Sequence, residues 1–263
     1  MLVYKFGGTS VGSVVNMNHV KEIIGTNGKK IVVLSAMSGT TNALVEISDL
    51  IKENKTELAQ KQIKALNEVY KKTAYDLVQD KVLYQEVIQY VNYIFTALLE
   101  TVSQPHSDLI HNSILANGEL LSTFMFSRLL QQDGVKVALL PALEFMRIDR
   151  GNEPDNFYIK QNLERLMQDT SDADVYITQG FICLDADGNI TNLQRGGSDY
   201  TATIIGAAIE ADEVQIWTDI DGFHNNDPRF VNDTRALSHL SYDEAAELAY
   251  FGAKILHPQT VMP

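Results

Sequence analysis

The 263-residue chain has one cysteine, Cys183, and one tryptophan, Trp217. A single cysteine excludes an intrachain disulfide and any zinc site built from several thiolates. Basic residues are scarce: 21 lysines and arginines stand against 34 aspartates and glutamates, a formal charge of −13. That balance disfavours non-specific binding to nucleic acid or to anionic membrane, so neither is expected as a partner. An anionic ligand must then be held by a few local cations and backbone dipoles. Long apolar runs are also missing, since stretches such as Ile31–Leu34 fall far short of the roughly 18 residues a spanning helix needs. The N-terminal MLVYKFGG is a strand-like run ending at a glycine pair, unlike a signal peptide, and a cytoplasmic location is expected. No internal repeat, low-complexity tract or linker is found.

What is present is an ordinary globular composition, 45% hydrophobic and 21% charged, on a chain long enough to bury a sizeable core. Leu2–Phe6, Ile31–Ser35, Val135–Leu140, Val175–Thr178 and Val214–Thr218 read as buried strands. Helical patterns lie between most of them. The alternation predicts an α/β fold with an open, mainly parallel sheet and helices on both faces. Phe181–Leu184 and Ile190–Leu193 flank Asp185–Asn189, whose Asp and Gly turn chemistry predicts a β-hairpin. The stretch from about 42 to 132 is largely helical and almost free of Gly and Pro. Ala59, Ile63, Leu66, Tyr70 and Leu77, then Leu83, Val87, Tyr90, Ile94 and Leu98, mark two amphipathic helices. Pro105 breaks the second and permits another from about Ser107. The segment reads as a helical insertion, with Tyr84, Tyr90, Tyr93 and Phe95 as packing residues.

Five polar blocks follow the apolar runs. Lys5-Phe6-Gly7-Gly8-Thr9-Ser10 ends a strand in a glycine pair, with a helix expected from near Val11–Ser13. Glycines admit backbone N–H groups close to an anion, a helix start adds its dipole, and Lys5 adds a full charge. The lysine precedes the glycines, so this is not a Walker A loop, and no G-x-G-x-x-G occurs. A simple tight turn fits the block equally well. Ser35-Ala36-Met37-Ser38-Gly39-Thr40-Thr41-Asn42 places small and hydroxyl residues after a second strand, suited to a ligand crevice or to a turn capped by Thr or Asn.

Arg195-Gly196-Gly197-Ser198-Asp199 precedes the helical pattern Ala202–Ile209. A guanidinium grips carboxylates bidentately, and capping accounts for Ser198 or Asp199 but not for Arg-Gly-Gly. Trp217-Thr218-Asp219-Ile220-Asp221-Gly222-Phe223 runs on into His224 and Asp227-Pro228-Arg229. Asp219, Asp221, Asp227 and His224 lack the acidic alternation and closing Glu of a calcium loop, so no protein metal site is expected. Gly252-Ala253-Lys254-Ile255-Leu256-His257-Pro258 brings a further lysine, and His257 reads as structural. His19, His106, His111 and His239 show no partner pattern.

Taken in order, KFGGTSVGS, VVLSAMSGTTNAL, NGELLS, QRGGSDYTA, WTDIDGFHNNDPR and FGAKILHPQT resemble the aspartate kinases of the amino-acid kinase family, from end to end. The long helical insertion also looks like theirs. The resemblance implies transfer of the ATP γ-phosphoryl group to the side-chain carboxylate of L-aspartate. The product would be 4-phospho-L-aspartate, opening lysine, threonine and methionine biosynthesis. By motif position, Lys5, Gly7 and Gly8 would face the transferring group, and Asp199 would organise Lys5. Ser35, Thr41, Glu119, Phe181, Arg195, Gly196, Gly197 and Ser198 would hold aspartate, with Arg195 on its α-carboxylate and Glu119 on its ammonium. Lys5, Gly8, Thr218, Asp219, His224, Arg229 and Lys254 would contact ATP, and Mg²⁺ would arrive on the phosphates. His224 stands where the family more often carries Tyr. A homodimer is a further expectation from the resemblance.

Residues 1–263 would form the catalytic domain, with the insertion at about 42–132. The family's regulatory ACT pair is expected to be absent from this chain, which stops soon after GAKILHP. Two rival readings stay open. One is another carboxylate kinase, glutamate 5-kinase or acetylglutamate kinase, since one methylene is a discrimination of only about 1–3 kcal/mol. The other is a shortened nucleotide-binding module without turnover.

Overall fold

The computed structural model describes residues 1–194, 196–226, 230–251, 260 and 263. Five strands form one parallel sheet: β1 (Leu2–Phe6), β2 (Lys30–Leu34), β3 (Val137–Leu140), β4 (Val175–Gln179) and β7 (Glu213–Trp217), in the order β3-β4-β2-β1-β7. β2 and β4 are buried at every residue, which is why their sequences are near-continuous apolar runs rather than alternating ones. β7 departs from the expected buried strand. It is half-exposed along its length and lacks an outer partner strand among the described residues. β5 (Ile182–Leu184) and β6 (Ile190–Asn192) form the expected hairpin. Its turn is held by Asp185 Oδ1, which accepts the N–H groups of Asp187 and Asn189 at 2.9 and 2.8 Å.

The helices are α1 (Val14–Ile24), α2 (Thr40–Lys52), α3 (Thr56–Leu77), α4 (Lys81–Thr101), α5 (Asp108–Gln132), α6 (Ala142–Phe145), α7 (Asn156–Asp169), α8 (Gly197–Ala208) and α9 (Tyr242–Phe251). Of the two expected amphipathic stripes, Ala59, Ile63, Tyr70 and Leu77 on α3 and Val87, Ile94 and Leu98 on α4 are buried. Ser107 caps α5 as its position after Pro105 suggested, accepting the Ile110 N–H at 3.3 Å. Among the aromatics of this segment, Phe95 packs on Tyr70 and Tyr90 stacks on Phe124 with ring centroids 4.1 Å apart. Tyr93 is a correction: it is 69% exposed and packs into no core.

α5 has no single apolar face. It is enclosed by α2, α4 and the sheet, so buried residues run all round it, including Glu119, Ser122, Thr123 and Ser127. Polar groups inside must find partners, and three hydrogen bonds tie elements together here. Ser122 Oγ donates to the Ser35 carbonyl at 2.8 Å, Gln179 Nε2 donates to Thr123 Oγ1 at 2.7 Å, and Gln179 Oε1 accepts the Ala142 N–H at 2.8 Å. The helix is thereby fixed against the ends of β2 and β4. No helix among the described residues is long and apolar enough to cross a membrane.

Candidate active site

Because the sheet is parallel, Phe6, Leu34, Gln179 and Trp217 end side by side and the following loops share one edge. That edge is where open α/β sheets bind ligands. A cleft of about 450 Å³ opens there, lined by the loops after β1 and β2, by Glu119, and by Phe181 and residues 194 and 196–199.

The first loop reaches the cleft through close backbone approach. A Cβ on Gly8 would stand 2.9 Å from the Ala36 carbonyl oxygen, and one on Gly12 would stand 2.9 Å from Ser38 Cβ. Only glycine lets these loops touch. α1 starts at Val14, capped by Ser13, so a run of turns separates the glycine pair from the helix end and the amides facing the cleft belong to the loop. α2 begins after Gly39, whose φ of 82° is left-handed, with no side-chain cap. The reading of this block as a Thr- or Asn-capped turn is thus corrected. Thr40 Oγ1 pairs with the Tyr70 hydroxyl at 2.9 Å, and Thr41 and Asn42 line the cleft.

α8 starts at Gly197, five residues before the expected Ala202, with left-handed Gly196 as its N-cap. Ser198 and Asp199 in its first turn make no cap bond and reach elsewhere. Ser35 Oγ donates to Ser198 Oγ at 2.9 Å, and Lys5 Nζ lies 2.7 Å from Asp199 Oδ1, both partners largely buried. A Cβ on Gly180 would fall 2.6 Å from Ser198, and one on Gly197 would fall 2.9 Å from the Phe181 ring. Phe181 itself has φ 69°, held by its N–H donating to Thr201 Oγ1 at 3.0 Å.

Glu119 is 3% exposed. Its Oε1 accepts the Ala36 N–H at 3.1 Å, while its buried Oε2 has no hydrogen-bond partner among the described residues. Burial pushes this carboxyl up to about 7, against the Ala36 amide, which pulls it down. An unpartnered carboxylate oxygen at a cleft wall suits a cation or a donor from a ligand. Tyr70, fully buried, is pushed upward by its own burial, with a smaller contribution from the Glu119 charge.

The cleft therefore gathers Lys5, Gly7, Gly8, Ser35, Thr41, Glu119, Phe181, Gly196, Gly197, Ser198 and Asp199. It does not include Thr218, Asp219 or His224. Thr218 and Asp219 are exposed beyond β7 on the same edge. His224 is buried, with Nε2 2.5 Å from Asp221 Oδ1 and Nδ1 2.9 Å from Thr234 Oγ1, so both ring nitrogens are engaged within its own loop. Arg195, Arg229 and Lys254 lie outside the described residues, as do Asp227 and His257. Reasoning from sequence passed over Ser38, Asn42 and Gln194 in the lining, although each sits within or beside a block it singled out. Among the described residues no three His, Cys, Asp or Glu side chains cluster as a protein-built metal site requires.

The profile of the amino acid kinase family matches residues 1–263. The chain belongs to the amino acid kinase family. Within it, the chain is similar to the lysine-sensitive aspartokinase 3 of Escherichia coli (strain K12), 33% identical over all of this chain and 59% of that protein. It is 34% identical to the chloroplastic aspartokinase 1 of Arabidopsis thaliana over 99% of this chain and 47% of that one. This family member thus spans roughly half to three-fifths of the length of those relatives. The crystal structure of E. coli aspartokinase III in complex with aspartate and ADP superposes with a TM-score of 0.87 at 33% identity, over 100% of this chain and 59% of that one.

Proposed function

We propose that this family member is the catalytic part of an aspartate kinase, moving the γ-phosphoryl group of ATP to the side-chain carboxylate of L-aspartate. The product is 4-phospho-L-aspartate, the entry to lysine, threonine and methionine biosynthesis. The observation that carries the proposal is that one cleft gathers two kinds of group. Lys5, paired with Asp199, stands beside the glycine loop, and the buried Glu119 carboxyl keeps an open Oε2. The first suits a polyanion and the second an ammonium. The similarity to aspartokinases, one of them solved with aspartate and ADP, supports aspartate as the acceptor.

A side-chain carboxylate with an ordinary value near 3.9 is ionised at neutral pH, so the reaction needs no general base. One carboxylate oxygen bonds to the γ-phosphorus while the bond to the β,γ-bridging oxygen breaks, and ADP leaves with that electron pair. The obstacle is repulsion between two anions, so the protein's task is positioning and positive charge. Lys5, oriented by Asp199, supplies that charge beside the amides of Gly7 and Gly8. By the family resemblance, Ser35, Thr41, Phe181, Gly196, Gly197, Ser198 and Arg195 would hold the amino acid, and Thr218, Asp219, His224, Arg229 and Lys254 would contact the nucleotide. Mg²⁺ fits this donor set as a passenger of the nucleotide, held by phosphate and water and neutralising phosphate charge. A homodimer, a cytoplasmic location and a helical insertion at about 42–132 within one kinase domain complete the proposal. Release of ADP from MgATP with L-aspartate, L-glutamate, N-acetylglutamate or UMP tests it. Release with aspartate above the others is expected, and release with another acceptor in its place overturns the assignment.

A further inference from the structure

Two residues other than glycine at the cleft rim adopt the left-handed backbone, Phe181 at φ 69° and Gln194 at φ 59°. They sit at the two feet of the β5–β6 hairpin, joined by the Leu193 N–H donating to the Phe181 carbonyl at 2.8 Å. A left-handed conformation is unfavourable for a residue with a Cβ, and it persists where the surroundings over-determine it. At Gln194 they do. Its N–H donates to Asn192 Oδ1 at 3.0 Å, Asn192 Nδ2 donates to Asn112 Oδ1 on α5 at 3.1 Å, and its carbonyl accepts the Gly197 N–H at 3.0 Å. A glycine would take this turn without strain, as Gly196 does two residues later. A long, exposed side chain at such a position is costly to the fold, and it lies in the wall of the cleft together with Phe181 and Gly197, which the family resemblance assigns to the amino acid.

We propose that Gln194 is a substrate-binding residue whose carboxamide, carried on a strained turn at the cleft rim, binds the α-ammonium and α-carboxylate of the amino acid acceptor. A carboxamide suits that zwitterion because it both donates and accepts, so one side chain serves both charges. The strain in the turn is kept because it aims this group. The proposal rests on the reading of the cleft as an aspartate kinase site.

The test compares the wild-type chain with Gln194→Gly and Gln194→Asn, reading the melting temperature, KM for L-aspartate and KM for MgATP. Glycine relieves the turn, so its melting temperature is expected to stay level or rise by about 2 °C. Its KM for aspartate is expected to rise roughly five- to tenfold with KM for ATP unchanged. Asparagine tolerates the left-handed turn but is one methylene short, and its KM for aspartate is expected to rise likewise. A KM for aspartate in the glycine variant equal to wild type overturns the proposal. So does a glycine variant whose KM for MgATP rises as far as its KM for aspartate, which assigns the effect to the loop as a whole and not to the carboxamide. A wild-type chain without aspartate-dependent ADP release overturns the underlying kinase reading, and this proposal with it. Wild-type turnover with unaffected variants overturns this proposal alone.

Discussion

Lys5 Nζ stands 2.7 Å from Asp199 Oδ1, joining the end of β1 to the first turn of α8. The pair is mostly shielded from water, and it keeps the lysine beside the glycine loop instead of letting it extend into solvent. Removing the charge with Lys5→Ala is expected to lower kcat by roughly 10²–10³, the scale of losing one preorganised donor to developing charge. Asp199→Asn keeps the shape and releases the lysine, so it is expected to fold normally and still lose kcat. Steady-state ADP release with circular dichroism checks both.

Glu119 carries the pH dependence. Its folded value of about 7 lies above the ordinary 4.5, so the folded protein holds this proton more tightly than the unfolded chain does. Its contribution to stability is fully present below pH 4.5 and is lost as the pH rises toward and through about 7. Glu119→Gln is expected to flatten that decline, leaving the variant about 1–2 kcal/mol more stable than wild type at pH 8 while raising KM for aspartate. Urea unfolding at a series of pH values measures the first and acceptor titration the second. An ammonium docking on Oε2 favours the charged carboxylate. Aspartate binding below pH 7 is therefore expected to release up to one proton, read by calorimetry in buffers of different ionisation enthalpy.

Tyr70 comes from α3, yet its hydroxyl meets Thr40 Oγ1 at the start of α2, beside the cleft. Tyr70→Phe leaves the ring in place and the Thr40 hydroxyl without its partner. Stability is expected to fall by about 1–2 kcal/mol, and a cycle with Thr40→Ala should show that the two effects are not additive.

Gly180→Ala would set a methyl group 2.6 Å from the Ser198 side chain. The turn cannot accept it without moving the first residues of α8, so aspartate KM is expected to rise at least tenfold with KM for ATP changing less. Parallel titrations of the two substrates check this.

The strands were legible where burial is complete. The runs beginning near Ile31 and Val175 are buried at every residue and mostly apolar, because both faces of the sheet are covered there, whereas Leu2–Phe6 is fully buried only at Val3 and Phe6. β7 has the same kind of sequence but is half-exposed, and composition alone does not separate an edge position from a central one. The start of α8 was missed because Gly197, Ser198 and Asp199 are poor helix formers. Their places are fixed instead by Gly196 in the left-handed region and by contacts to Ser35 and Lys5. In the site, the glycine and hydroxyl blocks announced themselves as strand-end loops. Glu119 did not, since α5 is buried all round and its periodicity singles out no face; only the NGELLS block pointed to it. Gln194 gave no signal either, because nothing in a glutamine marks a left-handed turn.

The most direct test of the central claim is capture of the product. An acyl phosphate reacts with hydroxylamine to give a hydroxamate, whereas ATP hydrolysis gives none. With MgATP, L-aspartate and hydroxylamine, the wild-type chain should form aspartate hydroxamate in step with ADP, and Lys5→Ala should form little of either. ADP without hydroxamate, or hydroxamate at the same rate from Lys5→Ala, would contradict transfer to the aspartate carboxylate at this cleft.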